Sequence, residues 1–577
     1  MSDKKNNNKI NEHGGAAGSS SGNGRRPQSD ADAAGTIHQR PEHYLVAVRP
    51  PHLLPPGVQP AAADPDALFQ WLSEQPDTRL LARLPRRQGS RTAIEPACPE
   101  IAVVEMPPER AASLRGSVQL LVEPDMPLSY GDPNPVVNPL ALPDPDVIVG
   151  LREPTRVPVL VTDSKHVPLE GIDVILLGAT WPARGRTGAD GRVVLELPDD
   201  TLETVRELRV QSAQDHWSRR VERPALSADE NVVVLKRMSE TFEQFPQRQI
   251  TGWGHEALGL DLVPPTHRAD GVRIAILDSG VDVEHPDLAG RIVAGHDFTA
   301  DDADTWTADE IGHGTACAGI ITGTDDTTGI SGIALDAEVH ACKIFPNGRF
   351  SHLIKALDYC IDHEIDIAHL SLGSTHASEL VALKVLDACN AGIACIAPAG
   401  NNGGMVTFPG TLPSVLTVAA LGKVGEFPVD SQHRLQASGR RTSADGYFSP
   451  AFNCFGREVD VCAPGVAIPV AAPADGYTLR DGTAIAAAHI TGLTALVLAH
   501  HDGFRDWFRV RNAARVGYLF HTICTSSRLV APADPTRSGA GLPNAARALG
   551  LLLPEMATTP GSPTATEFNQ QAAADRH

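Results

Sequence analysis

Between Gly271 and Gly404 the sequence repeats one pattern three times: a short run, apolar on both alternating positions, ends on a polar residue beside glycine. The runs are Gly271-Val-Arg-Ile-Ala-Ile-Leu-Asp278-Ser279-Gly280, Asp366-Ile-Ala-His-Leu-Ser371-Leu372-Gly373 and Cys395-Ile-Ala-Pro-Ala399-Gly400-Asn401-Asn402-Gly403-Gly404. Strands apolar on both faces belong in parallel sheets covered by helices. Because helical segments alternate with them, the region is expected to be a doubly wound α/β domain. Ligand chemistry in such sheets sits beyond the carboxyl ends of the strands. Asp278 at such an end is placed to orient a base, and an Asp there also serves as a helix cap.

Gly312-His313-Gly314-Thr315 sets an imidazole at the start of a helix of small residues, which permits close packing; a capping histidine would look the same. Gly373 offers bare backbone on which an extended peptide can pair. Asn401 can donate to a developing oxyanion, or simply form an Asn-Gly turn. Taken in order, DSG at 278–280, GHGT at 312–315, SLG at 371–373, AGNNG at 399–403, APG at 463–465 and GLPNAARAL at 541–549 resemble the subtilisin-like serine proteases. The resemblance covers roughly residues 245–550. It implies catalytic roles for Asp278 and His313, an oxyanion donor in Asn401, and a substrate cleft lined by Ser371, Leu372, Gly373, Ala399 and Gly400.

The family's nucleophile motif, Gly-Thr-Ser-Met-Ala-x-Pro-His-Val-x-Gly, aligns with Gly482-Thr483-Ala484-Ile485-Ala486-Ala487-Ala488-His489-Ile490-Thr491-Gly492. Ala484 stands where the serine belongs. His313 then has no hydroxyl to deprotonate and no acyl-enzyme can form, so the chain is expected to be inactive as written. Two explanations differ in class: a deliberate serine-to-alanine change in a working endopeptidase, or a natural pseudoprotease that acts as a peptide- or partner-binding scaffold. The otherwise complete set favours the first. The resemblance implies no required cofactor. Cys317, in the histidine helix, reads as a buried inert thiol, with thiol-reagent sensitivity as the alternative.

Upstream, residues 43–130 read as βαββαβ, a ferredoxin-like unit, with a helix over 64–75 placing Ala67, Leu68, Trp71 and Leu72 inward. The unit resembles the propeptide/inhibitor domain of the same family; an unrelated binding module is the alternative. The resemblance implies self-cleavage near Ser129, Tyr130 and Gly131. Residues 150–236 are short β-rich runs with frequent turn signals, an all-β sandwich, with Gly188-Ala189-Asp190-Gly191 as a tight turn between two strands. They resemble transthyretin-like or carboxypeptidase-regulatory-like modules, which are spacers or docking surfaces.

With 577 residues, about three to five folding units are expected; the reading is three, between tails at 1–42 and 554–577 too polar to fold. A net charge of −21 disfavours nucleic acid and anionic membranes as partners. Protein or peptide substrates and the chain's own propeptide remain. No apolar run is expected to approach the roughly 18–20 residues of a membrane span. The start lacks a secretory h-region, and the nine cysteines hold no CxxC pair. Together these suggest a reduced, cytoplasmic setting. Asp297, Asp301, Asp302 and Asp304 offer hard oxygen ligands for calcium, but a solvated loop is the preferred reading and no metal site is assigned.

Overall fold

The computed structural model describes residues 42–60, 65–86, 97–131, 153–180, 182–212, 215–300, 302–530 and 534–552. Residues 1–41, 554–577 and Asp301 lie outside this set.

The first unit runs β1 (Glu42–Val48), α1 (Pro65–Glu74), β2 (Arg79–Leu84), β3 (Ile101–Met106), α2 (Pro108–Arg115) and β4 (Leu120–Pro124), with sheet order β2-β3-β1-β4, all antiparallel. Its central strands β1 and β3 are apolar on both faces, and both are covered. Tyr44, Val46, Val104 and Met106 pack on Phe69, Leu72, Ala111 and Leu114 of its own helices. Leu45, Ala47, Ile101, Val103 and Leu121 cluster with Leu353, Leu357, Leu380 and Leu383 of the third unit. The inward face of α1 differs from expectation. Phe69 and Leu72 are buried, whereas Trp71 is 40% exposed and Ala67 is exposed: the helix is rotated so that Phe69, which has no polar atom to satisfy, meets the sheet.

The second unit holds β5 (Thr155–Asp163), β6 (Asp173–Leu177), β7 (Pro182–Arg186), β8 (Arg192–Leu197), β9 (Glu207–Gln211), β10 (Arg219–Glu222) and β11 (Asn231–Leu235). They form two sheets, β10-β9-β6-β7 and β11-β5-β8, around Val159, Val161, Val174, Leu176, Leu195, Val210 and Leu235. The turn at 188–191 is present, closed by Gly191 N–H to Gly188 O at 2.8 Å. It is not a hairpin: β7 pairs with β6 and β8 with β5, so it carries the chain from one sheet to the other.

In the third unit α3 (Gly252–Leu258) leads into β12 (Arg273–Asp278), β13 (Ile292–Asp297), α4 (His313–Thr322), β14 (Glu338–Lys343), α5 (Phe350–Asp362), β15 (Ile367–Leu370), α6 (Glu379–Asn390), β16 (Ala394–Pro398), β17 (Val415–Lys423), β18 (Tyr447–Phe448), β19 (Val461–Pro464), β20 (Ile468–Ala472), β21 (Gly476–Arg480) and α7 (Thr483–His500). The sheet order β13-β14-β12-β15-β16-β17 is parallel throughout, with β19 parallel and β18 antiparallel on β17. Every residue of α7 from Thr483 to Leu498 is buried. This corrects the expectation about apolar runs: α7 is long and apolar enough to cross a membrane, but it spends that character as a core helix against α4, β16 and β17.

Candidate active site

Asp278 ends β12 and is 1% exposed. Its Oδ1 accepts from the Ser279 N–H at 2.7 Å, and both oxygens face His313 Nδ1, at 3.0 and 2.9 Å. His313 is the first residue of α4, which starts from Gly312 in the left-handed region at φ 74°. The next residue must be glycine: a Cβ on Gly314 would lie 2.0 Å from Gly280 O and 3.2 Å from Asp278 Cβ. That contact sets the distance between helix and strand, and so between base and carboxylate.

A residue that the sequence reading missed completes the mount. Asp309 is buried; its Oδ1 accepts from Ser279 Oγ at 2.8 Å and Gly312 N–H at 2.8 Å, and its Oδ2 from Thr315 N–H at 2.9 Å and Thr315 Oγ1 at 2.7 Å. It ties the end of β12 to the first turn of α4. The signal was present, an acid three residues before the glycine that opens a helix. Burial alone would raise the carboxyl of Asp278; the His313 imidazole beside it outweighs that and holds it below the usual range. Burial would likewise lower His313, but Asp278 first and Cys317 next push it well above the ordinary imidazole value.

The amide of Asn401 is fixed from one side. Its Oδ1 accepts from Thr483 N–H at 2.9 Å and Thr483 Oγ1 at 2.8 Å, which leaves Nδ2 to donate to Gly131 O. Thr483 and Ala484 open α7 after Gly482, whose φ of 152° excludes most side chains. The chain after β4 thus lies in the cleft. Leu128 N–H donates to Gly348 O at 2.8 Å, Ser129 N–H to Gly373 O at 2.9 Å and Gly373 N–H to Ser129 O at 2.7 Å, an antiparallel strand addition. The Tyr130 ring stands 5.3 Å from the His313 ring and 5.6 Å from that of Phe345. Two carboxylates anchor the approach at helix starts, where backbone N–H groups donate to them and the helix dipole favours negative charge. Asp125 takes Ser351 N–H at 2.9 Å and Ser351 Oγ at 2.7 Å, and Glu123 takes Glu379 N–H at 2.8 Å and Ser378 Oγ at 2.6 Å.

The expected cleft residues separate. Gly373 pairs with Ser129, but Ser371 lies behind the imidazole, its Oγ 3.4 Å from His313 Nδ1 and 3.7 Å from Cys317 Sγ, and Leu372 is in the core. Ala399 and Gly400 spend their backbone groups inside the domain, on Val418, Thr407, Thr483 and Cys454. Of the residues expected to line the cleft, Gly373 is the one whose backbone pairs with the 128–131 segment, while the side chains of Ser371 and Leu372 and the backbone groups of Ala399 and Gly400 are engaged inside the domain beneath it. Cys317 is fully buried, and burial raises its thiol. Of the acidic cluster, Asp301 lies outside the described residues and the carboxylate of Asp297 is already committed. Asp297 accepts from Thr299 N–H, Thr299 Oγ1 and Thr305 Oγ1 with the Lys343 ammonium 3.8 Å away, Asp302 accepts from Asp304 N–H, and a cation there would meet Lys343.

An imidazole held by a carboxylate, beside an amide donor aimed at a peptide carbonyl, is equipment suited to acyl transfer. Residues 269–541 match the sequence model of the subtilase family. Subtilisin of Bacillus pumilus is 30% identical over 243 residues, 41% of this chain and 79% of the relative. Subtilisin E of Bacillus subtilis (strain 168) is 30% identical over 243 residues, and a thermophilic serine proteinase of Bacillus sp. (strain AK1) is 34% identical over 237, 40% of this chain and 53% of the relative. The chain belongs to the subtilase family. Its match spans 57% of the length of subtilisin E.

Proposed function

We propose that the chain is the precursor of a subtilisin-like serine endopeptidase, that residues 43–131 are its intramolecular inhibitor, and that the active form carries serine at position 484. One observation carries this reading: residues 128–131 lie in the cleft as a substrate strand would, paired with Gly348 and Gly373, with the Gly131 carbonyl on Asn401 Nδ2. A scaffold for other partners would have no use for its own chain in that register. The otherwise complete site supports a working enzyme that has lost one atom, and nine free cysteines go with a reducing cytoplasm.

With serine in place, its Oγ attacks the carbonyl carbon of Gly131, or of a substrate residue seated there. Nδ1 of His313 is held by Asp278, so Nε2 takes the Oγ proton and later returns it to the leaving amine. Asp278 stabilises the imidazolium without being protonated. Asn401 Nδ2 and the backbone N–H of residue 484 take up the oxyanion. No step calls for a metal-bound group.

The test is the purified Ala484→Ser chain on an extended peptide substrate, beside Ala484→Ser with His313→Ala. Hydrolysis by the first and its loss in the second are expected. An inert first variant, or turnover that survives without His313, would contradict the reading.

A further inference from the structure

A second buried histidine–carboxylate pair lies outside the catalytic groups. His433 Nδ1 is 2.7 Å from Asp481 Oδ1, with side chains 1% and 0% exposed, and the Ala467 N–H donates to the same oxygen at 2.7 Å. Asp481 is the residue before Gly482. From there Gly482 N–H bonds Gly465 O at 2.9 Å, and Thr483 fixes the amide of Asn401. The carboxylate that His433 holds is therefore two residues from the group that aims the oxyanion donor, and three from the nucleophile position.

His433 itself is presented by the β-sandwich. It sits on a short turn, Gln432–Ala437, whose approach is paired with the sandwich edge. Arg220 N–H donates to Asp430 O at 3.2 Å and Gln432 N–H to Ser218 O at 3.0 Å, Arg219 bridges Ser431 in antiparallel register, and the Arg219 guanidinium lies 3.2 Å from Asp430. Trp217, 2% exposed, sets its indole edge-on to the His433 ring at 5.7 Å, and Phe427 stands at 6.3 Å. Take the sandwich edge away and the 430–433 segment loses its backbone partners while the imidazole loses a wall. Asp481 would then be a buried carboxylate with a loosened partner, an arrangement that pulls the surrounding backbone toward water.

We propose that the β-sandwich sets the nucleophile turn: it clamps residues 430–433, and His433 is a positioning residue that holds Asp481 and, through it, residues 481–484 and Asn401. The kinetic consequence rests on the endopeptidase reading; the structural consequence does not.

Two arms test it. In the chain as it stands, amide hydrogen exchange over 481–484 should quicken in His433→Leu and in Arg219→Ala, which disturbs only the partly exposed sandwich end. It should return to the parent rate in His433→Asn, whose amide can donate near where Nδ1 does. In the Ala484→Ser background, His433→Leu should lower kcat on the order of 10- to 100-fold with little change in KM, because a misplaced nucleophile weakens attack rather than binding, and His433→Asn should recover most of it. Unchanged exchange at 481–484, or equal losses in the Leu and Asn variants, would overturn the proposal. If the serine-bearing parent is itself inactive, the endopeptidase reading falls and the exchange arm still decides this one.

Discussion

Asn401 is the residue whose role is most exposed to measurement, because Thr483 holds one end of its amide and Gly131 O receives the other. In the Ala484→Ser chain, Asn401→Ala should lower kcat by about 10²–10³-fold with a small change in KM, the usual cost of removing one oxyanion donor; a loss confined to KM would place Asn401 in ground-state binding instead. Asp278, His313 and Asn401 were legible in the sequence because each needs a glycine beside it, and glycines leave a spaced signature. Asp309, Thr483 and His433 were not legible as site residues. Each acts by hydrogen bonds to a neighbour brought near by the fold, Asp309 to Ser279 and Thr315, His433 to Asp481, and an Asp, Thr or His standing alone has many commoner uses. A strand ending in Ser-x-Gly likewise does not reveal which of its three residues meets a peptide; Gly373 is the one that pairs with Ser129.

At the scale of elements, the site depends on how closely α4 approaches β12. Gly314→Ala would press a methyl into Gly280 O, and forcing an added carbon into a packed core costs about 1–3 kcal/mol. The denaturant midpoint of the chain as it stands should fall accordingly; an unchanged midpoint would mean that the helix has room to retreat. Element types came readily from periodicity, since strands apolar at every position and glycine-opened helices have few alternatives. What periodicity missed was partnership. Burial of Phe69 rather than Trp71 in α1, and the passage of the 188–191 turn between two sheets, are decided by which surfaces meet. The short strand β1 illustrates the point: both faces of Tyr44–Ala47 are apolar because its own helices cover one and α5 and α6 cover the other.

At the scale of the whole molecule, three buried histidines make stability depend on pH. Burial is the leading cause in each: it lowers His340 to about 4, His369 to about 4 and His489 to about 3. In the unfolded chain they titrate near 6.5, so below that pH the unfolded state binds more protons and stability falls as pH drops from about 6.5 toward 4. Each contributes about 1.4 kcal/mol per pH unit of that slope. Asp460, raised to about 6 by burial, works the other way, its share being lost as pH rises through about 6. His340→Gln should flatten the acid limb by one proton relative to the parent in urea titrations; an unaltered limb would contradict the assignment. The contacts joining the sandwich to residues 430–433 and the first unit to α5 and α6 link segments far apart in sequence, which is why the spacing of motifs left the role of the sandwich open. Whether the chain is an enzyme precursor that holds residues 128–131 as its own substrate is tested by intact-mass and N-terminal analysis of Ala484→Ser after purification. Two fragments divided at the bond after Gly131 are expected, and a single intact chain when His313→Ala is added. An undivided Ala484→Ser chain, or a cut elsewhere, would contradict that reading.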